Sequence, residues 1–386
     1  MKNYKVFHFI LIPIVAFNSF AMSRTPHINT PRVMIFPPDH LTDEERKFQG
    51  IPGLAGTATG RYWATWYGGG HGEDGNNVVM LATSGDGGNS WSDIKIMIDA
   101  PWPIRCFDPV VWIDPRERLW LFWGQAYSHG IEAHTWAMVT ENPEDENPAW
   151  KKPFIIAPGV MMNKPAVLQS GDWLLPISDW EGRRKKTPGA ATAGVIISRD
   201  HGKSFKKLGA ALVPHEHRSY DEHIIVERND GSLWMLVRTQ YGIGESISRD
   251  AGKTWSEVTP SPVGHVTARF FIRRLESGNL LMVKHGDLDQ RLDSRSHLTA
   301  YLSKDDGESW EGVLLIDKRA DVSYPDGFQD NEATIHIIYD YSRRDAMEIL
   351  MASFTEEDVL SQGPTSYQFR QRQIVNKATG RNSSIK

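Results

Sequence analysis

One stretch of the chain joins an acid to a cation across a hairpin. In S-Y-D-E-H-I-I-V-E-R-N-D-G-S-L-W-M-L-V-R, Glu222 precedes an apolar run, a D-G turn follows, and a second apolar run ends at Arg238. Strands joined by such a turn return their ends to the same place, so a carboxylate and a guanidinium can face one cavity. A second stretch, Y-G-G-G-H-G-E-D-G-N-N-V-V-M, carries His71, Glu73 and Asp74 on a Gly-rich loop. Glycines let a loop approach a ligand closely, and a carboxyl there with a raised pKa would serve as a proton donor. His215-Glu216-His217 invites a zinc reading, since alternate residues of a strand share a face. No further ligand set is spaced to complete it, so no metal and no cofactor are expected. His265 and His285 follow strand-like runs and are candidate bases.

The elements that must position these residues announce themselves by repetition. The octet S-x-D-x-G-x-[ST]-[WF] occurs as S-G-D-G-G-N-S-W from Ser84, S-R-D-H-G-K-S-F from Ser198, S-R-D-A-G-K-T-W from Ser248 and S-K-D-D-G-E-S-W from Ser303. The Asp can accept hydrogen bonds from turn N–H groups, the Gly takes a backbone conformation closed to other residues, and the final aromatic can pack between sheets. A strand-like run precedes each copy. Successive copies lie about 50–55 residues apart, with a gap of two such steps between the first two, a period typical of propeller blades. A degenerate copy is therefore expected near residue 140, before Trp150, and another after Ile349-Leu350-Met351-Ala352-Ser353. The expectation is an all-β, six-bladed β-propeller over residues 22–375, with the box aspartates Asp86, Asp200, Asp250 and Asp305 structural rather than catalytic.

The octets resemble the Asp boxes of the sialidase-like (BNR) superfamily, and the resemblance covers nearly the whole chain after its first residues. It implies a Tyr–Glu nucleophile pair, an Asp acid/base and three arginines gripping a carboxylate. Residue by residue, it implies Tyr324 in V-S-Y-P-D-G as nucleophile, Glu222 as its base, Asp74 as acid/base, and Arg238 and Arg295 as carboxylate ligands. A phenol has an ordinary pKa of about 10 and needs such a base. The first Arg of the family lies in R-I-P, whereas this chain reads F-Q-G-I-P-G and places Gly50 there. Arg105 in P-I-R-C-F-D-P or Lys164 in M-M-N-K-P is then the candidate third cation, and His71 assists or replaces Asp74. These segments are similar to a bacterial branch of exo-α-sialidase type found in polysaccharide-degrading bacteria. The implied activity is release of a terminal acidic sugar, with a glycan as partner. Two alternatives stay open: a lyase acting on uronic-acid-capped glycans through His71, His265 or His285, and a non-catalytic carbohydrate-binding propeller.

Bulk properties agree. The net charge of -5 argues against a nucleic-acid partner. Lys2 and Lys5, the apolar run from Val6 to Phe17 and the small residues up to Ala21 read as a secretory signal over residues 1–21, implying a periplasmic or secreted protein. No later segment is apolar enough to span a bilayer. Cys106 is a single cysteine, so stability has to come from the core. Residues 376–386 are polar and are expected to be a disordered tail.

Overall fold

The computed structural model describes residues 30–35, 41–127, 131–180 and 189–380; the expected signal segment lies outside them. Six antiparallel sheets follow one another along the chain. Blade 1 contains β1 (Arg32–Ile35), β2 (Phe48–Gly56), β3 (Tyr62–Gly69), β4 (Val78–Ser84) and β5 (Ile96–Asp99). Blade 2 contains β6 (Ile104–Ile113), β7 (Leu119–Tyr127), β8 (Ile131–Thr140) and β9 (Phe154–Pro158). In blade 3 the short β10 (Val160–Met161) and β11 (Ala166–Val167) both pair with β12 (Trp173–Ser178), followed by β13 (Ala193–Ser198) and β14 (Lys206–Ala211). Blade 4 is β15 (Ile224–Glu227), β16 (Leu233–Thr239), β17 (Gly242–Ser248) and β18 (Thr259–Pro260). Blade 5 is β19 (Phe271–Arg274), β20 (Leu280–His285), β21 (Leu298–Ser303) and β22 (Glu311–Asp317). Blade 6 is β23 (Val322–Gln329), β24 (Ile335–Tyr341), β25 (Glu348–Phe354) and β26 (Arg370–Lys377).

Apolar side chains on both faces of each sheet leave no face for water, so every blade must be sandwiched by two neighbours. Six hydrophobic clusters do this, one at each joint. Trp63, Tyr67 and Trp123 fill the joint of blades 1 and 2, and Trp112, Trp120 and Trp173 that of blades 2 and 3. The ring closes where Leu54 and Trp66 of blade 1 meet Phe328, Ile338 and Met351 of blade 6. Fully buried Arg46 pins the same seam, donating to Leu41 O, to Asp43 and to Asn376 Oδ1 of the last strand.

The four octets form one turn, at the end of the last-but-one strand of blades 1, 3, 4 and 5. In each, an Asp Oδ1 accepts the N–H four residues on, from Ser90, Ser204, Thr254 or Ser309, at 2.8–2.9 Å. Oδ2 accepts the hydroxyl of the same residue. The hydroxyls of Ser204, Thr254 and Ser309 are the main reason that Asp200, Asp250 and Asp305 are held down to about 2. These carboxylates are committed to their turns, as the repeat implies. The box aromatics Trp91, Phe205, Trp255 and Trp310 pack into the joints. Blade 2 lacks the box; Thr140 ends β8 and Trp150 packs edge-on against Trp63. Blade 6 replaces it with a one-turn helix, α1 (Glu356–Leu360), capped by Thr355.

The end of the chain departs from expectation. Strand β26 runs to Lys377, Ala378 donates to Met347 O, and Thr379 donates to Asp43 O. Residues 376–380 thus belong to the ring seam, and residues 381–386 lie outside those described.

The box glycine offers a test. Gly307 has φ +90°, and a Cβ there would lie 2.6 Å from Cζ3 of Trp234; Gly278 has φ +89° with open space around it. Gly307→Ala should lose about 1–3 kcal/mol in urea unfolding from overpacking, on top of the smaller backbone cost it shares with Gly278→Ala. Equal losses in the two variants would contradict the packing role of the box.

Candidate active site

The inner strand of a blade lines the channel and has a free edge, which is where Pro is tolerated. Three inner strands carry an X-Pro pair, Ile51-Pro52 in β2, Asp108-Pro109 in β6 and Tyr324-Pro325 in β23, and a fourth pair, Lys164-Pro165, falls between β10 and β11. In blades 1, 2 and 6 the pairing register slips at this point, between Gly50 and Gly53, Phe107 and Val110, and Ser323 and Asp326. Ile51, Asp108 and Tyr324 sit in these bulges at φ +57°, +46° and +54°. Bulges re-aim side chains, and a bulky residue at positive φ is an outlier that surrounding structure must enforce. In blade 4, Asp221 at φ +50° does the equivalent just before β15 and turns Glu222 inward. Asp221 is itself fixed by the Arg218 guanidinium and by the Thr192 hydroxyl.

Glu222, Arg238 and Tyr324 come together. The Tyr324 hydroxyl donates to Glu222 Oε1 at 2.9 Å, and Arg238 Nη1 donates to the same Oε1 at 2.6 Å and to the phenol oxygen at 2.9 Å. All three are nearly buried, at 4%, 2% and 5% exposure for Tyr324, Glu222 and Arg238. Burial pushes the Tyr324 phenol up to about 12, with the Glu222 charge adding to the rise against Arg238, Arg295 and Arg343. Burial alone would lower Arg238, but Glu222 and Tyr324 hold it above its ordinary value. The phenol is therefore protonated at neutral pH, and the group placed to take its proton is Glu222.

A cavity of about 440 Å³ is lined by Phe48, Glu73, Arg295, Asp321, Ser323, Arg343 and Arg344, among others. Arg343 Cζ lies 4.3 Å and Arg295 Cζ 5.2 Å from the centre of the Tyr324 ring, so these two cations join the cavity to the phenol. Arg343 was not a candidate on sequence grounds. Glu73 Oε2 is 3.7 Å from Arg105 Nη2, and its Oε1 is 3.9 Å from Arg343 Nη1. Arg105 stacks 4.0 Å over the Phe107 ring. Asp108, the next residue, is buried with Oδ1 lacking a hydrogen-bond partner. Burial pushes its carboxyl up to about 8, Arg105 opposing and Glu73 and Glu222 reinforcing the shift. A buried carboxyl with that value is neutral at pH 7 and can release a proton. Fully buried Arg269 lies with Cζ 5.5 Å from the centre of the Tyr324 ring and donates to Met162 O, Pro52 O and Pro325 O from three blades.

The BNR repeat-like domain matches residues 60–337. The chain belongs to the BNR repeat-like family. No curated protein matches the sequence. Among solved structures, this BNR repeat-like propeller is similar to the Hadza microbial sialidase Hz136, at TM-score 0.63 and 18% identity over 82% of this chain and 67% of that one. It is also similar to the NanB sialidase of Streptococcus pneumoniae, at TM-score 0.62 and 13% identity over 86% and 71% of the two chains. The α-L-arabinofuranosidase of Fusarium graminearum gives TM-score 0.58 and 11% identity over 86% and 99%. At these identities the likeness is one of fold, and the fold is sialidase-like.

The remaining candidates of the BNR repeat-like chain lie elsewhere. Asp74 is absorbed by its own loop: Oδ1 accepts the Asn76 N–H at 2.8 Å and its N–H donates to Asn77 Oδ1 at 2.9 Å. The loop residue that lines the cavity is Glu73. His71 is exposed on the same loop and does not line the cavity. Lys164 forms a buried ion pair with Asp326, and burial pushes it down to about 8; it lines a different cavity, with Asn163 and Arg273, and not the one over Tyr324. His265 and His285 stack at 5.2 Å, fully buried. Burial holds His265 well below the usual range and His285 at about 4. His215-Glu216-His217 is a single exposed 3-10 turn rather than a strand, and among the described residues no group of His, Cys, Asp or Glu is arranged around a metal position. No helix among the described residues is long and apolar enough to cross a membrane.

Removing one member of a buried ion pair strands the other charge. Arg238→Met should therefore cost about 3–5 kcal/mol in chemical denaturation, whereas Arg238→Met combined with Glu222→Leu should recover much of that loss. An additive double variant would contradict the geometry of the pair.

Proposed function

We propose that this propeller is a retaining glycoside hydrolase that releases a terminal acidic sugar from a glycan. The observation that carries the reading is the phenol of Tyr324, hydrogen-bonded to both Glu222 and Arg238, with its ring against two of the three arginines that line the cavity. Glu222 takes the phenol proton as the oxygen attacks the anomeric carbon, forming a sugar–tyrosine bond and breaking the glycosidic C–O bond. Arg238 stabilises the charge that develops on the phenol oxygen. A neutral nucleophile suits an anionic sugar, because a carboxylate would repel it.

The leaving oxygen needs a proton, and the role expected of Asp74 passes to Asp108, whose carboxyl is neutral at pH 7. After departure of the leaving group, the Asp108 carboxylate draws a proton from water. The water oxygen attacks the anomeric carbon, and the tyrosine oxygen leaves and regains its proton from Glu222. The elimination alternative would use His71, His265 or His285; His265 and His285 are fully buried against each other, and His71 is exposed on its loop. An exported enzyme fits the signal read in residues 1–21.

The purified protein is to be screened against sialosides, other ulosonic acids and uronic-acid-capped oligosaccharides. Hydrolysis should release the acidic sugar, with no near-ultraviolet absorbance from a new double bond, and Tyr324→Phe should abolish release. Asp108→Asn should lower kcat by about 10²–10⁴-fold on poor leaving groups and much less on activated aryl glycosides. The proton donor is competent below its pKa, so activity should fall as pH rises through about 8. Full activity in Asp108→Asn with loss in Asp74→Asn would return the donor role to the loop.

A further inference from the structure

Gly50 leaves a gap where the sialidase resemblance expects an arginine, and the structure fills it from another blade. A Cβ on Gly50 would lie 2.7 Å from Cδ and 2.8 Å from Cγ and Nε of Arg343. The stem of Arg343, which follows β24, therefore occupies the space any side chain at position 50 would need. The lack of a side chain at one position and the presence of a cation from the other are one packing arrangement.

The guanidinium is held in a fixed pose. Nε donates to Asp340 Oδ2 and Nη2 to Ser323 Oγ, both at 2.9 Å. The mount is shared with the neighbouring bulge, since Asp340 Oδ2 also accepts the Ile51 N–H at 2.7 Å and Oδ1 the Ser323 hydroxyl at 2.6 Å. Nη1 is left toward the cavity, with Glu73 the acid beside it at 3.9 Å, beyond hydrogen-bond reach. Two N–H edges are committed to the protein, one faces the cavity, and Arg295 stands over the same tyrosine ring. That is a preorganised receptor for an anion, because little side-chain freedom is left to lose on binding.

We propose that Arg343, together with Arg295, grips the carboxylate of the substrate sugar, in the place that Gly50 vacates. This rests on the acidic-sugar reading above and assigns its specificity-determining residue. Arg238, by contrast, is occupied by Glu222 and Tyr324 and serves the nucleophile.

The test uses the full chain in calorimetric titrations with N-acetylneuraminic acid, 3-deoxy-D-manno-oct-2-ulosonic acid and D-glucuronic acid, each paired with its methyl ester. The wild type should bind at least one acid about tenfold or more tightly than its ester. Arg343→Gln should bring that ratio to about one. Arg343→Lys keeps a charge for Asp340, and so the fold, but loses the planar fork; it should lose most of the ratio too. Gly50→Ala changes no charge, yet should reduce the ratio by displacing Arg343. A ratio unchanged in both Arg343 variants but lost in Arg295→Gln overturns this inference and leaves the acidic-sugar reading standing. A wild type that binds every sugar no tighter than its ester overturns the acidic-sugar reading, and this inference with it.

Discussion

The site depends on one carboxylate oxygen. Glu222 Oε1 receives a hydrogen bond from a phenol of blade 6 and another from a guanidinium of its own blade, out of contact with bulk water. Two charges taken out of water need near-ideal geometry to offset their desolvation, and the phenol that shares their oxygen comes from a blade two places round the ring, so blades 4 and 6 must hold position relative to each other. A single blade cannot do this. The six apolar joints, the Arg46 seam and the left-handed bulges all serve to keep that geometry fixed.

The bulges have a common form. Three inner strands place a residue at positive φ immediately before a proline, and two of the three, Asp108 and Tyr324, bear the groups proposed to react. The third, Ile51, presents only its N–H, to Asp340, and Asp340 in turn steadies Arg343. One backbone device thus positions the proposed nucleophile, the proposed acid and the mount of a cation, according to the residue that occupies it.

What could be read from the sequence was local. The octets signalled their turns because every bond of the box falls within seven residues, and the period of the boxes gave the blades. The Glu222–Arg238 hairpin was legible for the same reason. Gly-rich loops and Lys-Pro pairs do not disclose where a side chain ends: the Asp74 carboxylate bonds within its own loop, and Lys164 pairs with a partner 162 residues away. Arg343 was invisible, since its meaning comes from contact with Gly50 on a distant strand. Asp108 was not: D-P in R-C-F-D-P matches Y-P in V-S-Y-P-D-G, and comparing X-Pro pairs between blades would have found it.

Arg269 has a consequence for how the ring moves. By tying carbonyls of blades 1, 3 and 6 to one guanidinium beside the tyrosine ring, it makes the seat of Tyr324 a joint property of three blades. Movement of any one of them would be passed through that single side chain to the ring it supports.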